Sequence, residues 1–236
     1  QLLFDQMDAG MNPSVIGGKS FSIASGMYDF SQMTGDKTGL LLGASESLSL
    51  DGTIEFTQQG GQPAQVVVAS GGTIEVTAGT NLKSALSDLV VSVRQDILLQ
   101  EVTLESAREV AIRSLRDLQL QQVSVDAADQ VRFRASRNLD VDGLQLSQSL
   151  PKLIMEATTI RLRNLDFPSA TSVQLNSLKG AIDGKYPNFG TGISLEQQLG
   201  RVNFIENVSS GGILMQDRPS FDQFGGNISI GKFRNP

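Results

Sequence analysis

The stretch that decides the fold is residues 89–151, which divides into three aligned copies of equal length. They read LVVSVRQDILLQEVTLESARE at 89–109, VAIRSLRDLQLQQVSVDAADQ at 110–130 and VRFRASRNLDVDGLQLSQSLP at 131–151. Apolar or small residues recur at the same seven places in each copy, which marks an internal repeat. In the first copy these residues are Leu89, Val91, Val93, Ile97, Leu99, Val102 and Leu104.

The spacing inside each copy predicts strands. Apolar residues alternate with polar ones at period two, whereas a coiled coil needs a seam of period 3.5. Three short strands per copy, each pairing with the next copy, describe one coil of a solenoid. We therefore predict an all-β fold, a single-stranded parallel β-helix (β-solenoid) of about seven coils, each roughly 21 residues long, with irregular terminal segments. A helical array remains the alternative, because Leu104, Ala107, Ala111, Leu115 and Leu118 trace a helical stripe.

The same pattern extends beyond the three copies. A fourth copy begins at Leu153, and Val173 begins a further, slightly shorter coil. Upstream, Leu40 matches Val66 at an offset of 26, and Val66 matches Leu89 at 23. Longer loops are expected at residues 58–64 and 81–85, where the extra residues fall. The predicted organisation is an N-terminal extension at 1–18, a candidate donated strand that leads into a loop with Gly17 and Gly18, followed by the solenoid at 19–182. Gly-, Asn- and Phe-rich strands at 183–236 are expected to act as a cap or as an assembly element.

Two columns of equivalent residues support this alignment. The third inward position is small in six of seven coils, as a tight inner corner requires. Its residues are Ala44, Ser70, Val93, Ser114, Ala135, Ala157 and Ser177. The position before the second strand carries residues that bond backbone groups at turns, so we expect a stacked polar column there. Its residues are Ser47, Thr73, Asp96, Asp117, Asn138 and Thr159.

Composition excludes several classes of function. The chain has 236 residues, a formal net charge of −6 and a pI near 4.7, which argues against a nucleic-acid partner. Cysteine, histidine and tryptophan are absent, so disulfides, imidazole or thiolate metal sites and nucleophile-histidine pairs are excluded. No apolar run is long enough to span a membrane as a helix. We expect no cofactor. The start at Gln1 suggests a processed protein or a fragment.

The outward side of the second strand carries the first candidate site. Gln119, Asp140 and Arg161 form one column, and Gln121, Asp142 and Arg163 form the next. Acidic residues beside arginines loosely resemble the calcium-and-arginine site of pectate-lyase-like enzymes, in which a bound cation acidifies the substrate. The preferred interpretation is cross-coil ion pairs, because only two aspartates converge. The metal candidates are accordingly Asp140 and Asp142, and the glycan candidates Arg161 and Arg163.

A second candidate is a basic patch on the first strand, formed by Arg113, Arg132 and Arg134. It is suited to an acidic glycan, although a mixed solvated surface explains it more simply. Asp96 and Asp117 are placed one coil apart and could share a cation, but the turn column accounts for both.

The coils resemble those of the haemagglutinin-type and autotransporter-passenger β-helices that bacteria export to their surfaces. Phrases such as SRNLDV at 136–141 and ATTIRL at 157–162 carry the resemblance. It covers about residues 40–182, is architectural, and transfers no binding residue. It implies a secreted, extracellular or cell-surface protein with a structural or adhesive role.

The leading hypothesis is a non-catalytic structural protein that assembles with copies of itself, head to tail or by donating a terminal strand, into a filament or matrix fibre. The expected donors are Leu2, Leu3 and Phe4 at one end and Asn227, Ile228, Ile230 and Phe233 at the other. One alternative is a β-helix that binds or cleaves extracellular polysaccharide. Another is an adhesin fragment.

Overall fold

The computed structural model describes residues 13–29, 39–57, 64–84, 87–147, 149–157, 159–163, 172–177, 193–195 and 213–215. These residues form β-strands and their connections, and none of them is helical. Every strand pair is parallel, and the strands stack into two long ladders. The predicted parallel β-solenoid is therefore confirmed, and the helical array is excluded for the described residues.

The strands, in chain order, are β1 (Pro13–Ile23), β2 (Gly26–Asp29), β3 (Gly39–Leu50), β4 (Thr53–Thr57), β5 (Ala64–Ser70), β6 (Thr73–Val76), β7 (Asn81–Ser84), β8 (Ser87–Val93), β9 (Ile97–Gln100), β10 (Thr103–Ser106), β11 (Glu109–Ser114), β12 (Leu118–Ala127), β13 (Gln130–Ala135), β14 (Asn138–Leu146), β15 (Lys152–Ala157), β16 (Thr159–Arg163), β17 (Ser172–Ser177), β18 (Ile193–Leu195) and β19 (Ile213–Met215).

Two sheets run the length of the solenoid. Sheet A follows the order β1-β3-β5-β8-β11-β13-β15-β17-β19, with β6 also paired to β3. Sheet B follows the order β2-β4-β7-β10-β12-β14-β16-β18, with β9 also paired to β12. About six turns lie between the start of β3 and the end of β16. The chain thus returns to sheet A once per coil, which is the geometry that the repeat predicts.

The strand register matches the offsets read from the sequence. Leu89 pairs with Val110, and Val110 pairs with Val131, both at the length of one repeat. Leu40 pairs with Val66, and Val66 pairs with Leu89, across the two longer coils. A one-residue slip would turn every inward side chain outward, so burial of the alternating apolar set fixes this register.

The core is a continuous column inside the coils. Its largest fully buried side chains include Phe56, Phe133, Leu48, Leu99 and Ile112. The small third inward position is buried as predicted, in Ala44, Ser70, Val93, Ser114, Ala135 and Ala157. The Ser114 hydroxyl donates to the Gln95 carbonyl at 2.8 Å, which satisfies a polar group inside the corner.

Two segments differ from the expected loops. β1 begins at Pro13, so residues 13–18, expected in the N-terminal extension, already pair with β3. Gly17 and Gly18 suggested a loop, but both lie in this strand. Residues 81–84, also expected in a loop, form β7, because Leu82 points inward and is fully buried. Beyond residue 182, β18 and β19 continue the ladders in parallel with β16 and β17.

Candidate functional site

The Asp-Arg columns on the second strand have the predicted register. Asp140 pairs with Arg161 and Asp142 with Arg163. Gln119 and Gln121 lie opposite the two aspartates on the preceding coil. Asp140 and Asp142 are half-buried and both are engaged in contacts, whereas the side chains of Arg161 and Arg163 lie outside the described part. This arrangement is suited to cross-coil ion pairing.

A cation site needs more oxygen ligands than these two carboxylates supply. Within the residues that the structure describes, no group of three or more acidic, histidine or cysteine side chains could hold a metal ion. The polysaccharide-lyase alternative requires a bound cation beside the arginine, and the described residues supply no third acidic ligand for that cation.

The basic patch forms as one cluster on the outer surface of sheet A. Arg113 pairs with Arg134 in the ladder, and Arg132 lies opposite Ala111. Burial lowers the pKa of Arg113, and the charges of Arg132 and Arg134 lower it further. Glu109 and Glu156 raise it, which offsets part of the repulsion. The patch therefore carries a surplus of positive charge on a partly desolvated surface.

The stacked polar column at the turns is confirmed in its central coils. The amide of Asp117 donates to Asp96 Oδ1 at 3.0 Å, and the amide of Asn138 donates to Asp117 Oδ1 at 3.1 Å. Arg137 Nη2 lies 3.3 Å from Asp96 Oδ1 and 2.7 Å from Asp117 Oδ2. A guanidinium thus bridges the two carboxylates that could otherwise share a cation. Arg116 also reaches Asp96, at 3.4 Å.

One ion pair escaped the sequence analysis. Asp88 is buried at the start of β8, and its Oδ1 accepts from Arg108 Nε at 3.0 Å and from the Glu109 amide at 3.2 Å. Asp88 and Glu109 are one repeat apart, so Arg108 reaches back by a single coil. The offset of one repeat between Asp88 and Glu109 could have predicted this contact. The ion pair connects two successive coils at the corner that precedes sheet A, and we interpret it as stabilising the fold.

Exposed apolar side chains concentrate in the first described coil. Six large apolar residues of the described part are exposed, and four of them lie in β1 and β2. These four are Val15 at 55%, Ile16 at 50%, Met27 at 69% and Tyr28 at 38%. Sequence reasoning missed this surface because it placed most of β1 in an extension. The expected donors Leu2, Leu3, Phe4, Asn227, Ile228, Ile230 and Phe233 lie outside the described residues.

Ile16 shows that this end of the core is open. Its ladder partner Leu42 is 6% exposed, and Val68, the next residue in the same column, is fully buried. Hydroxyl pairs fasten β1 to the following coil, with Ser47 donating to Ser20 at 2.8 Å and Ser49 to Ser22 at 2.6 Å. β1 is therefore anchored on one side and open on the other, among the described residues.

No helix in the described part is long and apolar enough to cross a membrane. The chain matches no protein-family model, no curated protein and no solved structure.

Proposed function

We propose that the protein is a non-catalytic structural β-solenoid that assembles end to end into an extracellular filament or matrix fibre. The observation that carries the proposal is the open first coil, formed by β1 and β2. An edge strand presents unpaired N–H and C=O groups, and natural proteins usually protect such edges with charges, prolines or a covering segment. This edge begins with Pro13 and carries the exposed Lys19, but between them it also exposes the apolar Val15 and Ile16.

The exposure of a core residue, Ile16, also indicates that the first coil is open. Ile16 belongs to the inward column, yet it is 50% exposed because no coil covers it in the described structure. A neighbouring copy stacked on β1 would bury Ile16 and pair the free edge at once. Both effects favour association, since apolar burial contributes about 25 cal/mol per Å² and the paired strands exchange main-chain hydrogen bonds.

The opposite end of sheet A supplies a suitable partner strand. Among the described strands, β19 is the last of this ladder, and it is parallel to β1. Contact between the β19 end of one copy and the β1 end of the next is heterologous, so it propagates without closing and gives a filament. The nine strands of sheet A in a row correspond to an axial repeat of roughly 43 Å at ~4.8 Å per strand.

We assign the protein to the same broad type as the exported β-helices of bacterial surfaces. The support for this assignment is the parallel β-solenoid architecture itself, which those proteins share. An adhesin, in which the solenoid displays a binding region, is compatible with this assignment. The assembly into filaments can be tested directly.

The experiment is negative-stain electron microscopy with light scattering, across a concentration series, on the full chain and two variants. Ile16→Lys places a charge in the open end of the core and should weaken association by at least about tenfold. Leu98→Lys changes a similarly exposed apolar residue in the body of the solenoid, 43% exposed, and should assemble like the unmodified chain.

Filaments with the axial repeat given above, lost in Ile16→Lys alone, support the proposal. A chain that stays monomeric at every concentration overturns it. Closed dimers that are lost in Ile16→Lys would show that the β1 end associates, but they would rule out the filament, because two β1 ends would then pair with each other.

A further inference from the structure

Two surfaces of different chemistry lie at opposite edges of sheet A. In the central coils, one corner precedes the strand of sheet A and another corner follows it. Around β11, Ala107 lies in the preceding corner and Leu115 in the following one. Their separation along the chain corresponds to roughly 26 Å at ~3.3 Å per residue. The two surfaces are therefore too far apart to contact each other within one copy.

A groove with a volume of about 360 Å³ occupies the preceding corner. Most of its lining consists of small side chains, among them Ser106, Ala107 and Ala128. The charged residues that line it are Lys83, Glu105 and Asp126. Lys83 pairs with Glu105 at 3.3 Å, whereas Asp126 is exposed and forms no ion pair with another described residue. The groove therefore has room for a side chain of a partner and carries a surplus of negative charge.

The following corner carries an exposed leucine among arginines. Leu115 is 43% exposed, and Arg94 occupies the equivalent position one repeat earlier. Arg116 and Arg137 also lie at this corner, where they pair with aspartates of the turn column. Arg94 is exposed and forms no ion pair with another described residue. The corner therefore presents an apolar side chain beside a surplus of positive charge.

The groove and the Leu115 corner complement each other in polarity and in charge. A leucine seated among alanine and serine side chains loses contact with water, which contributes about 25 cal/mol per Å² of apolar surface. The positive surplus of the corner then meets the negative surplus of the groove, and such complementarity favours one orientation over others. Both surfaces extend over successive coils at a spacing of ~4.8 Å, so contacts can form in parallel along two rods.

We propose that solenoids associate side by side, with the Leu115 corner of one copy seated in the groove of a second copy. A second copy is the favoured occupant because the chain itself carries the complementary surface. The contact joins two different surfaces, so a third copy adds in the same way and a row results. This inference goes beyond the proposed function and does not depend on it, because the open end at β1 takes no part.

The net charge of the chain makes the salt dependence of association decisive. Two copies with a formal charge of −6 repel each other as whole molecules, and salt screens this repulsion. An association without charge complementarity should therefore strengthen as salt is added. The proposed contact joins opposite charges, so it should weaken by at least about threefold between about 20 mM and about 300 mM sodium chloride.

Sedimentation velocity across a concentration series measures the association of the full chain. The Ile16→Lys variant is the background, because it removes the end-to-end contact and leaves the groove and the Leu115 corner unchanged. If the filament proposal is wrong, the unmodified chain associates like this variant, and the side-by-side contact is still measured. The two proposals therefore fail in distinguishable ways.

Two exposed leucines provide a matched pair of substitutions in this background. Leu115→Ser should weaken association by at least about fivefold, because the apolar side chain in the groove is lost. Leu98 is also 43% exposed but lies in β9, beyond the corner. Leu98→Ser should therefore leave association unchanged.

An exchange of charges tests the electrostatic part of the contact. Arg94→Glu and Asp126→Lys should each weaken association by about threefold, as expected for exposed charges. An equimolar mixture of the two variants should associate more strongly than either variant alone. In the mixture, the unchanged Arg94 corner of one variant meets the unchanged Asp126 groove of the other.

Weakening by salt, a loss in Leu115→Ser but not in Leu98→Ser, and recovery in the mixture together support the proposal. Any one of three results overturns it. The first is association that is absent at low salt or strengthens as salt is added. The second is an equal loss in the two leucine variants. The third is a mixture that associates no better than its two components.

Discussion

Five residues share a left-handed backbone conformation at the bend between the second and third segments of successive coils. Their φ values are 77° at Gly52, 81° at Gly79, 53° at Glu101, 54° at Gln122 and 75° at Gly143. Glycine adopts this conformation without cost, whereas other L-residues lose about 1–2 kcal/mol in it. The sequence did not reveal the column, because glutamate and glutamine occupy two of its places.

The strain at this bend predicts an unusual stabilising substitution. Gln122→Gly should raise the free energy of unfolding by about 0.5–1 kcal/mol, since relief of the left-handed strain exceeds the entropy cost of glycine. Gln121→Gly is the matched control, because Gln121 is an adjacent, exposed glutamine in extended backbone. It should lower the same quantity by about 0.5–1 kcal/mol. Urea denaturation measures the free energy of unfolding of both variants. If the two substitutions change it in the same direction, Gln122 is not strained.

Gly72 is required for a steric reason. A Cβ added there would lie 1.8 Å from the carbonyl oxygen of Glu46, a backbone atom of the preceding coil. Gly72→Ala should therefore cost about 3 kcal/mol, at the upper end of overpacking effects. Gly79→Ala has open space and only an unfavourable φ of 81°, so it should cost about 1 kcal/mol. Thermal unfolding of the two variants compares the costs, and the opposite order would exclude the close approach.

At the scale of elements, the ladder could be predicted from the sequence and its ends could not. The constant repeat length determined the pairing of β8, β11 and β13, because burial on one face penalises any slip. β1 was missed, because Gly17 and Gly18 resemble a loop and only pairing with β3 makes them a strand. Leu41 and Val67 point outward from sheet A and are nevertheless buried. The continuous apolar runs LLL at 40–42 and VVVA at 66–69 could have predicted this, because strands buried on both faces lack the alternation of apolar and polar residues.

The candidate site was less predictable than the fold. Register alone placed Asp140 beside Arg161 and Asp96 one coil from Asp117. It could not show that Arg137 bridges the two turn aspartates, because a long side chain at a corner can point along or across the coils. Nor could it show which coil is open, since the exposure of Ile16 depends on what lies next to it.

The turn column should stabilise the solenoid through Asp117. Its Oδ1 accepts from the Asn138 amide and side chain at 3.1 and 2.9 Å, and its Oδ2 binds Arg137. Asp117→Ala removes all three contacts and should cost about 1–2 kcal/mol. Asp117→Asn keeps the acceptor for Asn138 and loses only an exposed ion pair, worth about 0–1 kcal/mol. Chemical denaturation should rank the variants in that order, and equal losses would mean that the backbone bond is unimportant.

At the scale of the whole molecule, the described solenoid is close to one-dimensional, because each described coil contacts mainly its two neighbours. The free energy of unfolding of such a structure is approximately the sum of the intrinsic stabilities of the coils and the interaction energies between neighbouring coils. An end coil has one such interface, whereas an inner coil has two. The first coil of the described part lacks a neighbour on the β1 side and exposes Ile16. Opening should therefore start at this end and stop where the interfaces become complete.

Hydrogen exchange measures this gradient directly and connects it to assembly. In dilute monomer, amides of β1 and β2 should exchange at least about tenfold faster than those of β11 and β13. Raising the concentration should slow exchange in β1 and β2 first, because a stacked copy supplies the missing interface. The Ile16→Lys variant should keep fast exchange there at every concentration. Protection that is uniform along the dilute chain would mean that the first coil is already closed, and that association must use another surface.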